Sequence, residues 1–205
     1  MKLNSLALFD FDGTITTDDS LTRFISFVVG DARLIIGMLL LSPILLSYKL
    51  KLTPNHKAKQ IVLSYFFKGM EESSFRRIAR QYSLEQIDKI VRPEALERIK
   101  WHKRQGHKVV VVSASIECWL KPWCDKNDLD LIATKLEFRD GAATGRFLTK
   151  NCHGMEKVNR IKAAYDPDDY ESIHAYGDSA GDKEMLAIAT NRYYKYFHKL
   201  SREKS

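Results

Sequence analysis

This 205-residue chain has only three cysteines and five prolines, and it has fewer acidic than basic residues. It also lacks any uninterrupted apolar run of the ~20 residues that a spanning helix needs. Cys118, Cys124 and Cys152 are too few and too scattered for a disulfide framework, which fits a reducing, intracellular compartment. Cys152-His153 pairs two metal-ligand types, but no second pair follows at zinc spacing, so a structural zinc site is excluded. The apolar start, Met1 to Phe9, is too short for a secretory signal and runs directly into Asp10. The deficit of acid leaves a net charge of +7, which favours anionic partners: phosphorylated metabolites, nucleic acid or an acidic membrane surface. The basic residues form no stripe with aromatics, so nucleic acid is set aside.

The longest uncharged stretch is Leu34 to Tyr48, fifteen residues interrupted by Pro43. It is too short to span a bilayer. It reads first as a buried helix and second as a hairpin lying in the membrane interface.

Against these absences stands one dense feature. Leu6-Ala7-Leu8-Phe9 reads as a buried strand of a parallel sheet and ends in Asp10-Phe11-Asp12-Gly13-Thr14. In open α/β sheets ligands sit beyond the carboxyl ends of strands, so two aspartates delivered there point to a site. From Ser20 to about Gln86 the pattern is helical throughout. Val109-Val110-Val111-Val112 is the clearest strand and ends in Ser113-Ala114-Ser115. Leu131–Thr134 and Ile173–Tyr176 are two further strand candidates, and Asp140-Gly141 marks a hairpin. Helices are expected over Pro93–Gln105, Ile116–Lys126 and Glu156–Tyr165. The tail after Arg192 is basic and aromatic, with no usable periodicity. Strands alternating with helices predict an α/β fold with a Rossmann-like parallel sheet and helices on both faces. Residues 1–14 and 91–205 would form the α/β core, and residues 15–90 an inserted all-helical unit.

Polar groups fall at four strand or loop ends: Asp10 with Asp12, Ser113, Lys157, and Asp178 with Asp182 in Gly177-Asp178-Ser179-Ala180-Gly181-Asp182. Taken singly, each is an ordinary turn, cap or surface residue. In this order they resemble the four motifs of the haloacid dehalogenase-like phosphatase superfamily, over essentially the whole chain. The helical insertion resembles the cap of the phosphoserine-phosphatase-like subgroup, subfamily IB.

The resemblance implies an Mg²⁺-dependent phosphatase in which Asp10 attacks phosphorus and forms an aspartyl-phosphate. Asp12 would be the general acid and base. Ser113 and Lys157 would bind the phosphoryl group. Mg²⁺ would be held by Asp10, the Asp12 main-chain carbonyl and Asp178, while Asp182 would orient Lys157 or metal-bound water.

Substrate choice would rest with the cap. Asp19 occupies the place where phosphoserine phosphatases carry an acid for the substrate amino group. The cap arginine of those enzymes has no counterpart in Ile61 to Phe67. The Leu34–Tyr48 run with Lys57 and Lys59 resembles instead the phosphatidylglycerophosphatase C branch, which acts on an anionic lipid phosphate. The expected partner is therefore a small-molecule or lipid phosphate, with peripheral membrane contact through Leu34–Tyr48 at the inner membrane face. Two alternatives use the same residues: a phosphotransferase passing the phosphoryl group to an alcohol, and a peripheral membrane-binding protein with a vestigial site.

Overall fold

A strand that is apolar at every position must be covered on both faces, and β1 (Leu6–Phe9) is buried along its whole length. In the computed structural model, which describes residues 3–198, β1 is the middle strand of a five-stranded sheet. Its neighbours are β2 (Lys108–Ile116) and β6 (Ile173–Gly177), with β3 (Asp130–Thr134) and β7 (Asn191–Tyr194) at the edges. Every pairing in the order β3-β2-β1-β6-β7 is parallel. Alternate residues of β1 feed two separate cores. Ala7 and Phe9 pack with Val109, Val111 and Tyr176, whereas Leu6 and Leu8 pack with Val110, Val112 and Ala175.

Helices cover both faces. Ala95 and Ile99 of α6 (Pro93–Arg104) and Trp119 and Trp123 of α7 (Glu117–Lys126) join the first core. Ile161 of α8 (Met155–Ala164) and Met185 and Leu186 of α9 (Lys183–Ala187) join the second. Between β1 and α6 the chain forms five further α-helices: α1 (Ser20–Val29), α2 (Asp31–Leu40), α3 (Ser42–Lys49), α4 (Asn55–Phe67) and α5 (Glu72–Glu85). This is the expected Rossmann-like sheet with a helical insertion.

Three features depart from the sequence reading. First, β2 does not stop at Val112 but continues through Ser115 to Ile116, with a register shift against β3 between Ser113 and Ile116. Second, the aromatic tail contributes β7. Tyr193 stacks on Tyr176 at 4.4 Å, and Tyr176 stacks on Phe9 at 4.3 Å. Cross-strand ring packing of this kind stabilises an edge strand that hydrophobic alternation does not announce. Third, the Leu34–Tyr48 segment is not a buried helix. Pro43 starts a new helix, where its missing N–H costs nothing, and α2 and α3 meet at 65°. Gly37 is the one fully buried residue of α2, and α3 has none.

The predicted hairpin is present as β4 (Leu136–Arg139) and β5 (Ala142–Phe147), with Asp140 and Gly141 both at positive φ, the requirement of a tight type I′ turn. It lies against the helical insertion. The Gly69 N–H donates to the Ala143 carbonyl and the Ala143 N–H to the Met70 carbonyl. Gly145 sits so close to α4 that a Cβ there would lie 2.3 Å from Ser64 Cα.

Under the sheet edge, burial imposes a charge state. The Arg98 guanidinium donates to the Tyr176 hydroxyl at 2.6 Å, so the hydroxyl proton goes to His102 Nε2, 2.9 Å away. The other ring nitrogen of His102 meets His107 Nδ1 at 2.8 Å. Burial, then the neighbouring His174, Arg98 and His107, push His102 down to about 3. A pKa lower in the folded than the unfolded chain means that the unfolded state takes up the proton first. Stability is therefore complete above the unfolded value near 6.5 and is lost as pH falls below it. Denaturant midpoints should fall between pH 7 and pH 5, by about 1–2 kcal/mol of unfolding free energy for this one group. The slope should be shallower in His102→Gln; an unchanged slope in that variant would remove His102 from the account.

Candidate active site

The strand order brings three carboxyl ends together. Asp10 follows β1, Ser113 lies near the end of β2, and Asp178 follows β6, so adjacent strands supply all three. After Phe9 the chain makes one wide turn over Phe11–Ile15, closed by the Thr16 N–H to the Phe11 carbonyl at 3.0 Å. Gly13 has φ +81°, and a Cβ there would stand 2.5 Å from an Asp178 oxygen. Only glycine lets the turn approach Asp178 this closely.

The buried ammonium of Lys157, on α8, is at the centre. It donates to Asp10 Oδ1 at 2.6 Å, to the Val112 carbonyl at 2.7 Å and to Asp182 Oδ1 at 2.7 Å, which uses all three of its protons. Burial alone would drive the proton off, but the Asp10 and Asp182 carboxylates outweigh it and hold the lysine charged. Asp182 is likewise held below the usual carboxylate range, because Lys157 overcomes its burial. Its second oxygen accepts from the Asp178 N–H, the Ser179 N–H and the Ser179 hydroxyl. Asp182 is thus fully engaged in holding the site together.

Asp10 and Asp178 are less satisfied. Burial, reinforced by Asp182 and Asp12 and opposed by Lys157, pushes Asp10 up to about 7. Burial and then Asp182 raise Asp178. Thr14 Oγ1 lies 3.2 Å from Asp10 Oδ2 and 3.3 Å from Asp178 Oδ1, one hydroxyl shared between two carboxylates. Asp10, Asp178 and Asp182 present oxygens all within 4.8 Å of one another. Crowded hard oxygens, with Asp10 and Asp178 raised and Asp182 lowered, are the donor set that a divalent cation of the Mg²⁺ type satisfies. Since Asp182 is taken up by Lys157 and the Ser179 turn, Asp10 and Asp178 are the carboxylates left to hold it.

Asp12 has different company. Its Oδ1 accepts the Ser20 N–H at the start of α1 at 2.7 Å, and its Oδ2 lies 2.5 Å from the Ser115 hydroxyl. Ser20 Oγ in turn donates to Ser115 Oγ and accepts from the Trp119 indole at 3.2 Å. Burial and then Asp19 raise Asp12, against the Ser115 hydrogen bond. Neither Ser20 nor Ser115 was picked out from the sequence. The signal for Ser115 was available, because residues two apart on a strand share a face and Ser113 already pointed there. Ser113 Oγ accepts the Ser115 N–H at 3.0 Å, leaving its own proton for an acceptor in the cavity.

Asp10, Asp12, Ser113 and Lys157 line one cavity of about 480 Å³, which Asp182 also touches. Asp19 and Lys59 line it too, as does His153, which the sequence weighs only as a zinc ligand beside Cys152. Asp19 is at the same time the cap of α1, accepting the Thr22 N–H and hydroxyl at 2.8 and 2.9 Å. Lys57 is exposed and outside the cavity lining, since it sits on the other face of α4 from Lys59. His198, in the aromatic tail, meets the Gly13 carbonyl at 2.8 Å; the rest of that tail, 199–205, lies outside the described residues.

The two acidic residues of the last loop should respond oppositely to neutralisation in metal-free protein. Asp182→Ala strands the buried Lys157 charge and should cost about 3 kcal/mol of unfolding free energy. Asp178→Asn relieves a crowded carboxylate and should leave stability unchanged or higher. Urea denaturation in EDTA distinguishes them; equal destabilisation by both would contradict the division of labour.

Comparison with known proteins agrees with this geometry. Residues 7–187 match the haloacid dehalogenase-like hydrolase family. The chain is 34% identical over 194 residues to protein CicA of Caulobacter vibrioides, covering 94% of this chain and 86% of that protein. Among solved structures, a Bordetella pertussis protein of unknown function superposes with a TM-score of 0.80 at 21% identity, covering 98% of this chain and 96% of that one. A substrate-bound phosphoserine phosphatase superposes with a TM-score of 0.60 at 22% identity, covering 95% and 87% of the two chains. With the sheet, the four polar strand ends and the family match in agreement, this chain belongs to the haloacid dehalogenase-like hydrolases.

Proposed function

We propose that the protein is an Mg²⁺-dependent phosphatase that hydrolyses a phosphomonoester through an aspartyl-phosphate on Asp10. The observation that carries this reading is the pairing in one cavity of two carboxylates, Asp10 buried and Asp12 half-buried, with opposite surroundings. Asp10 is fixed by Lys157 and faces Asp178. Asp12 is fixed by neutral donors, Ser20 and Ser115, and has a raised pKa.

In the first step an Asp10 oxygen attacks phosphorus, the bond from phosphorus to the leaving oxygen breaks, and Asp12 gives its proton to that oxygen. In the second, Asp12 takes a proton from water, the water oxygen bonds to phosphorus, and Asp10 leaves as carboxylate. Ser113 donates to a phosphoryl oxygen, and Lys157 keeps the nucleophile in place while its charge offsets the phosphoryl anion. Asp10, the Asp12 main-chain carbonyl and Asp178 would hold Mg²⁺, which when bound supplies positive charge against the repulsion between a carboxylate and a dianionic ester.

The remaining cavity wall bears on the leaving group. It is formed largely by apolar side chains, among them Leu21, Ile25, Met38, Leu45 and Val62, with Lys59 as a cation among them. Among the described residues no arginine lines it to hold a substrate carboxylate, and Asp19 is engaged with Thr22. These groups favour an ester with an apolar portion over phosphoserine, which supports a lipid phosphate acted on at the cytoplasmic face of a membrane.

The test is phosphate release by the purified protein with Mg²⁺ on phosphoserine, soluble sugar phosphates, lysophosphatidate and phosphatidylglycerophosphate. Turnover should be highest on the lipid phosphates, be abolished by EDTA and restored by Mg²⁺. It should fall at least about a thousandfold in Asp10→Asn. Release that is equal in wild type and Asp10→Asn would sink the mechanism, and a preference for phosphoserine would sink the substrate reading. Mg²⁺ should also raise the melting temperature of the wild type but not of Asp178→Asn.

A further inference from the structure

The α2–α3 elbow takes no part in the proton and phosphoryl transfers above, yet it and the residues just after it carry more than half of the large exposed hydrophobic side chains among the described residues. Of the fourteen large hydrophobic residues that are exposed among the described residues, eight fall between Ile35 and Leu52. Ile35, Ile36, Leu39 and Leu40 of α2 are 56–68% exposed, and Leu52 just beyond α3 is 76% exposed. Scattered exposed apolar residues need no explanation, but a contiguous set of this size marks an interaction surface.

The elbow is nevertheless held firmly from beneath. Gly37 lies directly on α4, where a Cβ would stand 2.3 Å from Phe66 and 2.8 Å from Tyr65. Leu34, Leu41 and Leu45 pack against the buried core. The outward face is therefore presented by a fixed support, and its apolar side chains are what that support displays.

Charge identifies the occupant. From Ala32 to Met70 the chain has no acidic residue in 39 positions, while Arg33, Lys49, Lys51, Lys57, Lys59 and Lys68 are all basic. An apolar face flanked by cations and free of anions matches an anionic bilayer surface, where side chains bury in the acyl boundary while lysines meet head groups. Length sets the mode of contact. At 1.5 Å per residue, α2 with ten residues and α3 with eight each fall well short of the ~30 Å hydrocarbon core. Together the pair has the length and composition of a span, but it is bent by 65° at its middle, a shape that suits lying in the interface.

We infer that the α2–α3 elbow docks the protein on an anionic membrane by lying in its interface, apolar face down. The same elbow supplies Met38, Leu45 and Tyr48 to the catalytic cavity. Docking thus sets one wall of the cavity against the lipid surface, with Asp10 and Ser113 on another. This docking stands independently of the phosphatase reading, since binding is measured without turnover.

The test is co-sedimentation of the full chain with vesicles of phosphatidylcholine alone or with about half phosphatidylglycerol. Wild type should partition to the anionic vesicles and weakly to the neutral ones. Leu39→Ser/Leu40→Ser, at two positions that do not line the cavity, should lose about tenfold in partitioning with an unchanged melting temperature. Lys49→Gln/Lys51→Gln should bind less well and lose most of its salt sensitivity at about 0.5 M NaCl. Wild type remaining in the supernatant with both vesicles would overturn the inference, as would Leu39→Ser/Leu40→Ser binding as tightly as wild type. A wild-type dimer in lipid-free buffer that Leu39→Ser/Leu40→Ser converts to monomer would overturn it too, assigning the face to a second copy of the chain.

Discussion

A charged lysine with no access to water needs every one of its protons and its full charge answered by the protein, and Lys157 is answered by Asp10, Asp182 and the Val112 carbonyl. That requirement fixes elements far apart in sequence. It draws α8 toward the end of β2, ties the turn after β1 to the loop after β6, and does so with one ammonium facing two carboxylates. The local balance is left negative, and the excess falls on Asp10 and Asp178. A site built this way is under electrostatic tension until positive charge arrives, and in the mechanism proposed above the same tension would make Asp10 a strong ligand and, once its proton is gone, an available nucleophile.

The second carboxylate shows how one short turn makes two chemically different acids. Asp10 and Asp12 are two residues apart, yet one is answered by a cation and the other by a backbone N–H and a hydroxyl. A hydroxyl serves either protonation state, accepting from the acid or donating to the carboxylate, which suits the giving and taking of a proton proposed for Asp12. Ser20 ties both the indole of Trp119 and the start of α1 to this second carboxylate.

Much of this was legible in the sequence, and for physical reasons. β1 is buried on both sides, so it had to be a run of apolar residues, and the residues that break the run had to be at its carboxyl end. Asp178 and Asp182 were visible because glycine must flank them: at Gly177 a Cβ would lie 2.5 Å from Asp182 Cβ. Ser20 was not legible, because its contribution is mainly a main-chain N–H, which every residue but proline has. Nor was β7, whose place depends on rings stacking across strands 17 residues apart, Tyr176 to Tyr193. The exposure of the α2–α3 elbow was hidden for the opposite reason. Composition records that a segment is apolar and says nothing about which neighbours are present to cover it.

The hairpin of β4 and β5 carries a mechanical consequence. Because it pairs with the α4–α5 connection through Gly69, Met70 and Ala143, the helical layer is joined to the sheet by four passages of chain rather than two. These run near Thr16, Val91, Lys135 and Lys150. A lid on two tethers swings like a door; a lid on four must slide or twist with all of them in concert. Any movement that widens access to Asp10 would then be stiff and of small amplitude, and the lipid ester proposed above, entering from the elbow side, would need the lid to part by a few ångströms rather than to open wide.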